Sequence, residues 1–188
     1  ALAAGAAIVN DVSALSSGAA IAELAAEAGA GLVLMHRKGE PHTMQDDPRY
    51  GDLFGEIAEL LFAAAEAAER AGVDPAGIAL DPGIGFGKTA ADSYRLLAGI
   101  ERFAAGGRPV LVGHSRKSFL DPDRRHAPAE RVPESIAAGV LAAIGGAAIL
   151  RVHDVAAHAR ALAVYARYLS ARSGETEGPA SGGEEPAA

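Results

Sequence analysis

The chain contains no cysteine, which excludes disulfides and thiolate-bound zinc and makes a reducing compartment, the cytoplasm by default, the expected location. Aromatic residues are scarce, at 5%, so Ala, Leu, Val and Ile must fill the core, a composition suited to helices packed on a parallel sheet. Nothing resembles a membrane span or a signal peptide: Ala1 to Val9 is apolar, but no basic segment precedes it and Asn10-Asp11 ends it. An initiator methionine is also missing, so the chain is expected to begin inside a domain. Excess positive charge is absent as well. The net charge is −7, and the segment from Ser173 holds four of those charges in Glu175, Glu177, Glu184 and Glu185, with no base, leaving −3 on the body. No general polyanion surface follows, which argues against nucleic acid as a partner, although a few converging cations could still take a small anion.

What is present is a repeating rhythm of short apolar run, polar end and helix. The 188 residues, 49% hydrophobic, suffice for one cored domain, expected over residues 1–172, with a Gly-, Glu- and Pro-rich tail over 173–188 expected to be disordered. Strands are expected at 6–12, 32–35, 78–80, 109–112 and 147–150. Taken from starts near 7, 31, 78, 109 and 147, the spacings are 24, 47, 31 and 38 residues, which suits parallel strands joined by helical crossovers. Helices are expected over 19–28 after a Ser16-Ser17-Gly18 cap, from an Asp52 cap to Gly72, and from an Asp92 cap along a Leu96, Leu97, Ile100 and Phe103 stripe. Two more should run from Pro133 to about Ile144 and from about Val155 to Ala171. Residues 36–51 form a long polar loop, and 119–131 should be irregular because Pro122, Pro128 and Pro133 interrupt any helix. Five such units allow an open doubly wound sheet or the last five-eighths of a (β/α)8 barrel, which usually takes about 250 residues.

In either fold ligands bind at the carboxyl ends of the strands, and each expected strand ends in polar residues: Asn10-Asp11, His36, Asp81, Ser115 to Ser118, and Arg151 with His153. Asp81 is the pivot, because Gly83, Gly85 and Gly87 let the chain turn sharply after it. Gly87-Lys88-Thr89 suggests a phosphate-cradling loop, but the position five before Gly87 is Pro82, which lacks the N–H such a loop uses. A glycine-rich turn with a solvated Lys88 is the plainer reading. Taken singly, each polar end could be a helix cap, a surface charge or a satisfied loop residue; five at one topological position are harder to dismiss. Asp81 and Asn10 suit a planar heterocycle with an amino-pyrimidinone edge, since an amide both donates and accepts and a carboxylate pairs adjacent N–H groups. Arg151, His153 and Lys117 suit a phosphate. No hydrolytic Ser-His-Asp signature or H-E-x-x-H occurs, and His36 with His42, or His153 with His158, are poorly spaced for a helical zinc pair.

Five stretches, Ile8 to Val12, Leu34 to His36 with Gly39 to Gln45, Asp81 to Lys88, Val112 to Ser118 and Arg151 to Val155, strongly resemble the dihydropteroate synthases, over nearly all of residues 1–172. The resemblance implies a pterin-binding (β/α)8 barrel, incomplete here at about five βα units, with the N-terminal strands missing. It implies condensation of 6-hydroxymethyl-7,8-dihydropterin diphosphate with 4-aminobenzoate to give dihydropteroate and diphosphate in folate biosynthesis. By the same resemblance Asn10 and Asp81 would bind the pyrimidine edge, Met35 would line the pterin's face, Phe86 would contact substrate, and Gly113 would let the ring approach. Lys117 would bridge the two substrates, Ser118 would lie near the aminobenzoate carboxylate, and Arg151 and His153 would grip the diphosphate. Lys117, Arg151 and His153 form the expected catalytic set. Magnesium is implied, its ligand lying outside this chain, as is a homodimer of the intact protein through C-terminal helices, and the fragment alone is expected to be inactive. Arg37-Lys38, His114 and the 119–131 stretch depart from the family pattern. Two alternatives are a methyltetrahydrofolate:corrinoid methyltransferase, which shares a pterin-binding barrel, and a noncatalytic pterin-binding or dimerisation paralogue.

Overall fold

A computed structural model describes residues 1–39, 42–44, 46 and 48–174; Glu40, Pro41 and Gln45 of the long loop, and the expected tail from residue 175 on, lie outside them. Short apolar runs become the parallel strands β1 (Ile8–Asp11), β2 (Gly31–Met35) and β3 (Ile78–Asp81), with Asp11 facing Leu34 across the first pair and Met35 facing Asp81 across the second. A second parallel pair joins β4 (Leu111–Val112) to β5 (Ile149–Leu150). One bridge, Leu80 to Val110, links the two sheets. Spatial neighbours thus follow chain order without a reversal.

The central strands β2, β3 and β4 are buried on both faces, as runs without strict alternation require, whereas β1 and β5 are more exposed. On one face Leu32, Leu34, Ile78, Leu80 and Val112 join the main core with helical residues such as Ile57, Leu61, Leu96, Ile100, Phe103 and Ala142. On the other, Val33, Ala79 and Leu111 form a small separate cluster. The period of two puts these alternate residues on opposite sides.

Helices α1 (Ala20–Glu27), α2 (Leu53–Arg70), α3 (Ala90–Ala98), α4 (Glu101–Ala104), α5 (Val132–Ile144) and α6 (Val155–Ser173) supply the outer layer. Several helix starts differ from expectation. The cap of α1 is Ala19, without a side-chain hydrogen bond, so Ser16 and Ser17 do not serve. Asp52 stands at the cap of α2 but makes no side-chain cap bond; Glu56 Oε1 instead accepts from the Gly51 and Asp52 N–H groups. Thr89, not Asp92, caps α3, its hydroxyl oxygen accepting from Asp92 N at 3.0 Å. The expected single helix along the Leu96 to Phe103 stripe is two, broken at Gly99-Ile100. Pro133 sits in the first turn of α5 as expected, where its missing N–H costs nothing. Helix α6 reaches Ser173, and His158 alone of its residues is fully buried; Val164, Tyr168 and Leu169 are exposed, as is Ile8 on β1.

Candidate functional site at the strand ends

The carboxyl ends of β1, β3, β4 and β5 converge on one polar cluster. Asp81 ends β3 and is 1% exposed. Its Oδ1 accepts from Gly83 N at 2.7 Å and its Oδ2 from Arg151 Nη2 at 3.0 Å. Burial pushes the Asp81 carboxyl above the ordinary range, opposed by the Arg151 guanidinium, the Gly83 N–H and the Lys117 ammonium. Gly83 itself must be glycine: its φ is +67°, and a Cβ there would collide with the His36 carbonyl oxygen. The turn after β3 therefore rests directly on the end of β2.

Arg151, just beyond β5, spans the site. While Nη2 donates to Asp81, Nη1 donates to Asn10 Oδ1 on β1 at 2.6 Å. The guanidinium lies over Gly113, where an added Cβ would stand 2.5 Å from Nη2. Lys117 closes another side: its Nζ donates to Ile84 O and lies 4.2 Å from the centre of the Phe86 ring. Burial, partly countered by Asp81 and reinforced by Arg151, brings the Lys117 ammonium down to about 8.

Ser115 and His153 complete the cluster. Ser115 Oγ accepts from the His153 backbone N–H at 3.3 Å and lies 3.2 Å from His153 Nδ1. The serine hydroxyl hydrogen is free to donate to Nδ1, which leaves the ring hydrogen on Nε2 as a donor for an anion. Arg116 holds the two loops together, its Nε and Nη2 reaching the Asp154 carboxylate at 2.9 and 2.6 Å in a bidentate pair. Phe86, Gly113, Ser115, Lys117, Arg151, Val152 and His153 line a cavity of about 260 Å³.

Most of the residues singled out in the sequence meet here: Asn10, Asp81, Phe86, Gly113, Lys117, Arg151 and His153. Met35 is fully buried beside Asp81 in the β2–β3 register and does not line the cavity. Ser118 lines a neighbouring hollow of about 310 Å³ with Gly85, Lys88, Thr89, Ser93 and Arg124. Lys88 is not solvated: it is 3% exposed, with Nζ 3.0 Å from both His36 Nδ1 and the Phe86 carbonyl oxygen. Burial brings this ammonium down to about 7 and the His36 imidazole to about 3, so His36 is the neutral acceptor of the pair. Nothing local in the sequence signals this, because the shielding ring comes from 52 residues earlier. Ser115 was visible only as part of a polar run; its bond to His153 is tertiary.

Fold and site together define an α/β protein whose candidate ligand site lies at the carboxyl ends of parallel strands and combines a buried carboxylate with several cations. The family model for pterin binding enzymes matches residues 1–153. The chain is 42% identical over 168 residues to the dihydropteroate synthase of Escherichia coli strain K12, covering 89% of this chain and 59% of that protein, and 40% identical over 178 residues to that of Mycobacterium leprae, covering 91% and 63%. Among solved structures, Xanthomonas albilineans dihydropteroate synthase with 4-aminobenzoic acid superposes with a TM-score of 0.82 at 42% identity, over 90% of this chain and 60% of that one. The Thermus thermophilus enzyme in complex with 6HMPPP gives 0.83 at 40%, over 89% and 66%. The chain belongs to the pterin binding enzyme family. It spans 59% of the length of the Escherichia coli relative.

Proposed function

We propose that the full-length protein is a dihydropteroate synthase, joining 6-hydroxymethyl-7,8-dihydropterin diphosphate to 4-aminobenzoate with release of diphosphate. The observation that carries this reading is the convergence of Asn10, Asp81, Lys117 and Arg151 on one strand-end cluster, with hydrogen bonds from Arg151 to both Asn10 and Asp81. Asn10 and Asp81 take the pyrimidine edge of the pterin. Arg151, His153 and Lys117 meet the leaving diphosphate, whose departure breaks the bond between the pterin methylene carbon and oxygen and leaves a cation spread over the ring. The aromatic amine then forms the new carbon–nitrogen bond and gives up a proton. No protein nucleophile is needed; fixed cations near the departing oxygens and exclusion of competing water are. Ser118 and the hollow beside it face the carboxylate end of the aminobenzoate.

Magnesium belongs to the same reading, but among the described residues no group of three His, Asp or Glu side chains could hold a metal ion. The cluster proposed to meet the diphosphate is cationic, and the described residues do not fit a magnesium site.

The five units are read as part of a (β/α)8 barrel spanning residues 1–172. Support comes from strand neighbours in chain order, since a doubly wound sheet reverses its strand order at a switch point. A cytoplasmic homodimer is part of the proposal, supported by the absence of cysteine and by exposed Leu141, Ile144, Val164 and Tyr168 on α5 and α6. No helix among the described residues is long and apolar enough to cross a membrane.

Calorimetric titration of the pterin diphosphate, with magnesium, into the full-length protein and its Asp81→Ala and Lys117→Ala variants tests the assignment. Tight binding lost in both variants is expected, with turnover of 4-aminobenzoate by the unmodified protein. Unchanged binding in folded variants overturns the site; binding without turnover favours the noncatalytic paralogue.

A further inference from the structure

We propose that Arg151 sets the selectivity of this site by occupying the acceptors that the entering heterocycle needs, so that ligands bringing their own anion are admitted and neutral ones are resisted. This inference rests on the pterin reading above. A guanidinium presents two N–H groups on nitrogens attached to one carbon, in a fixed fork. The 2-amino-4-oxopyrimidine edge of a pterin presents its ring N–H and its amino group in the same N–C–N arrangement. Arg151 uses its fork on Asn10 Oδ1 and Asp81 Oδ2, at 2.6 and 3.0 Å. The other Asp81 oxygen is engaged by Gly83 N at 2.7 Å. The guanidinium also fills space, lying close enough to Gly113 that not even a methyl group would fit there.

A pterin edge and the Arg151 fork therefore compete for the same two oxygens. A neutral pterin alcohol must break a charge-assisted pair and leave the guanidinium without a partner. A pterin diphosphate gives the displaced guanidinium a new anion, beside the His153 held by Ser115. Once diphosphate has left, Arg151 is free to return to Asn10 and Asp81, which opposes retention of the product's pterin head.

The test is calorimetry on the full-length protein with 6-hydroxymethyl-7,8-dihydropterin, alone and with saturating inorganic diphosphate. Wild type is expected to bind the alcohol weakly and at least tenfold more tightly once diphosphate is present. Arg151→Met, in which the Lys117 ammonium still acts electrostatically on the Asp81 carboxylate, is expected to bind the alcohol alone at least tenfold more tightly than wild type, with little further gain from diphosphate. Arg151→Lys, a point charge that cannot span both oxygens, should bind the alcohol more tightly than wild type while keeping part of the diphosphate effect, and it carries the test if the Met variant fails to fold. Weaker or equal binding of the alcohol to both folded variants overturns the proposal while leaving the pterin site standing. Absence of binding by the alcohol and by the pterin diphosphate alike, in wild type and variants, overturns the pterin reading itself.

Discussion

Replacing Lys88 by Met should remove a pH-dependent part of the protein's stability. The ammonium is 3% exposed and sits between His36 Nδ1 and the Phe86 carbonyl oxygen. Burial is the main force lowering its pKa; Asp81 and Asp92 oppose it, Lys117 and Lys38 add to it, and the result is a value of about 7. In the unfolded chain a lysine titrates near ~10.4. Between those two values the unfolded state holds a proton that the folded state has released, so stability rises with pH there, at up to ~1.4 kcal/mol per pH unit. Below about 7 both states hold the proton and the cost of burying the charge is fully present.

Urea denaturation of full-length wild type and Lys88→Met at intervals from about pH 6.5 to 9.5 reads this directly. Methionine keeps an apolar stem of similar length but leaves His36 Nδ1 and the Phe86 oxygen without their donor. That loss varies little in the window, because burial, the largest cause that brings the His36 imidazole down to about 3, remains when Lys88 is replaced. Lys117, brought down to about 8, contributes with the same sign in both proteins, and only its smaller repulsion with Lys88 fails to cancel in the difference. The unfolding free energy of wild type relative to the variant should therefore climb by roughly 2 kcal/mol between pH 7 and 9. A difference that stays flat across that range would refute the burial argument.

Three further outcomes are expected in the same denaturation assay. Thr89→Ala removes the hydroxyl that caps α3 through Asp92 N and should cost about 1 kcal/mol. Phe103→Ala empties a fully buried site in the main core and should cost about 3–5 kcal/mol. Gly83→Ala meets both a left-handed backbone and the His36 carbonyl oxygen, so it should cost more than ~2 kcal/mol or prevent folding; a loss under half of that would mean that the turn relaxes easily.

The strands were legible because each is an apolar run closed by polar residues, and because a buried parallel strand leaves little else for such a run to be. The position of Asp81 was legible for a related reason: a carboxylate followed by Pro82 and three spaced glycines marks the point where the chain leaves the sheet. Pairings within the site were not. Arg151 and Asn10 lie 141 residues apart, and no local pattern says which acceptor a given guanidinium will choose. Lys88 shows the same limit in reverse, since its burial depends on a ring from the preceding unit. The break between α3 and α4 was hidden because Leu96, Leu97, Ile100 and Phe103 keep a helical stripe across it. Gly99 lies at that break, where a Cβ would stand 2.6 Å from the Phe54 ring, so packing of α2 decided what periodicity could not.

The two sheets are joined thinly along the backbone, by the Leu80–Val110 bridge with its hydrogen bond from Leu80 N to Pro109 O. At the carboxyl ends, side chains take over that task. Arg151 ties β5 to β1 and β3, and Lys117 ties the turn after β4 to Ile84 in the turn after β3. Arg116 with Asp154 and Ser115 with His153 join the β4 and β5 ends to each other. The residues that hold the sheets in place at this mouth are thus largely the residues proposed to hold substrate. Such groups cannot be optimised for packing alone, because each must exchange a protein partner for a ligand partner without letting the mouth open. A bidentate arginine suits that double duty better than a lysine, since its fork can trade two protein oxygens for two oxygens of one anion.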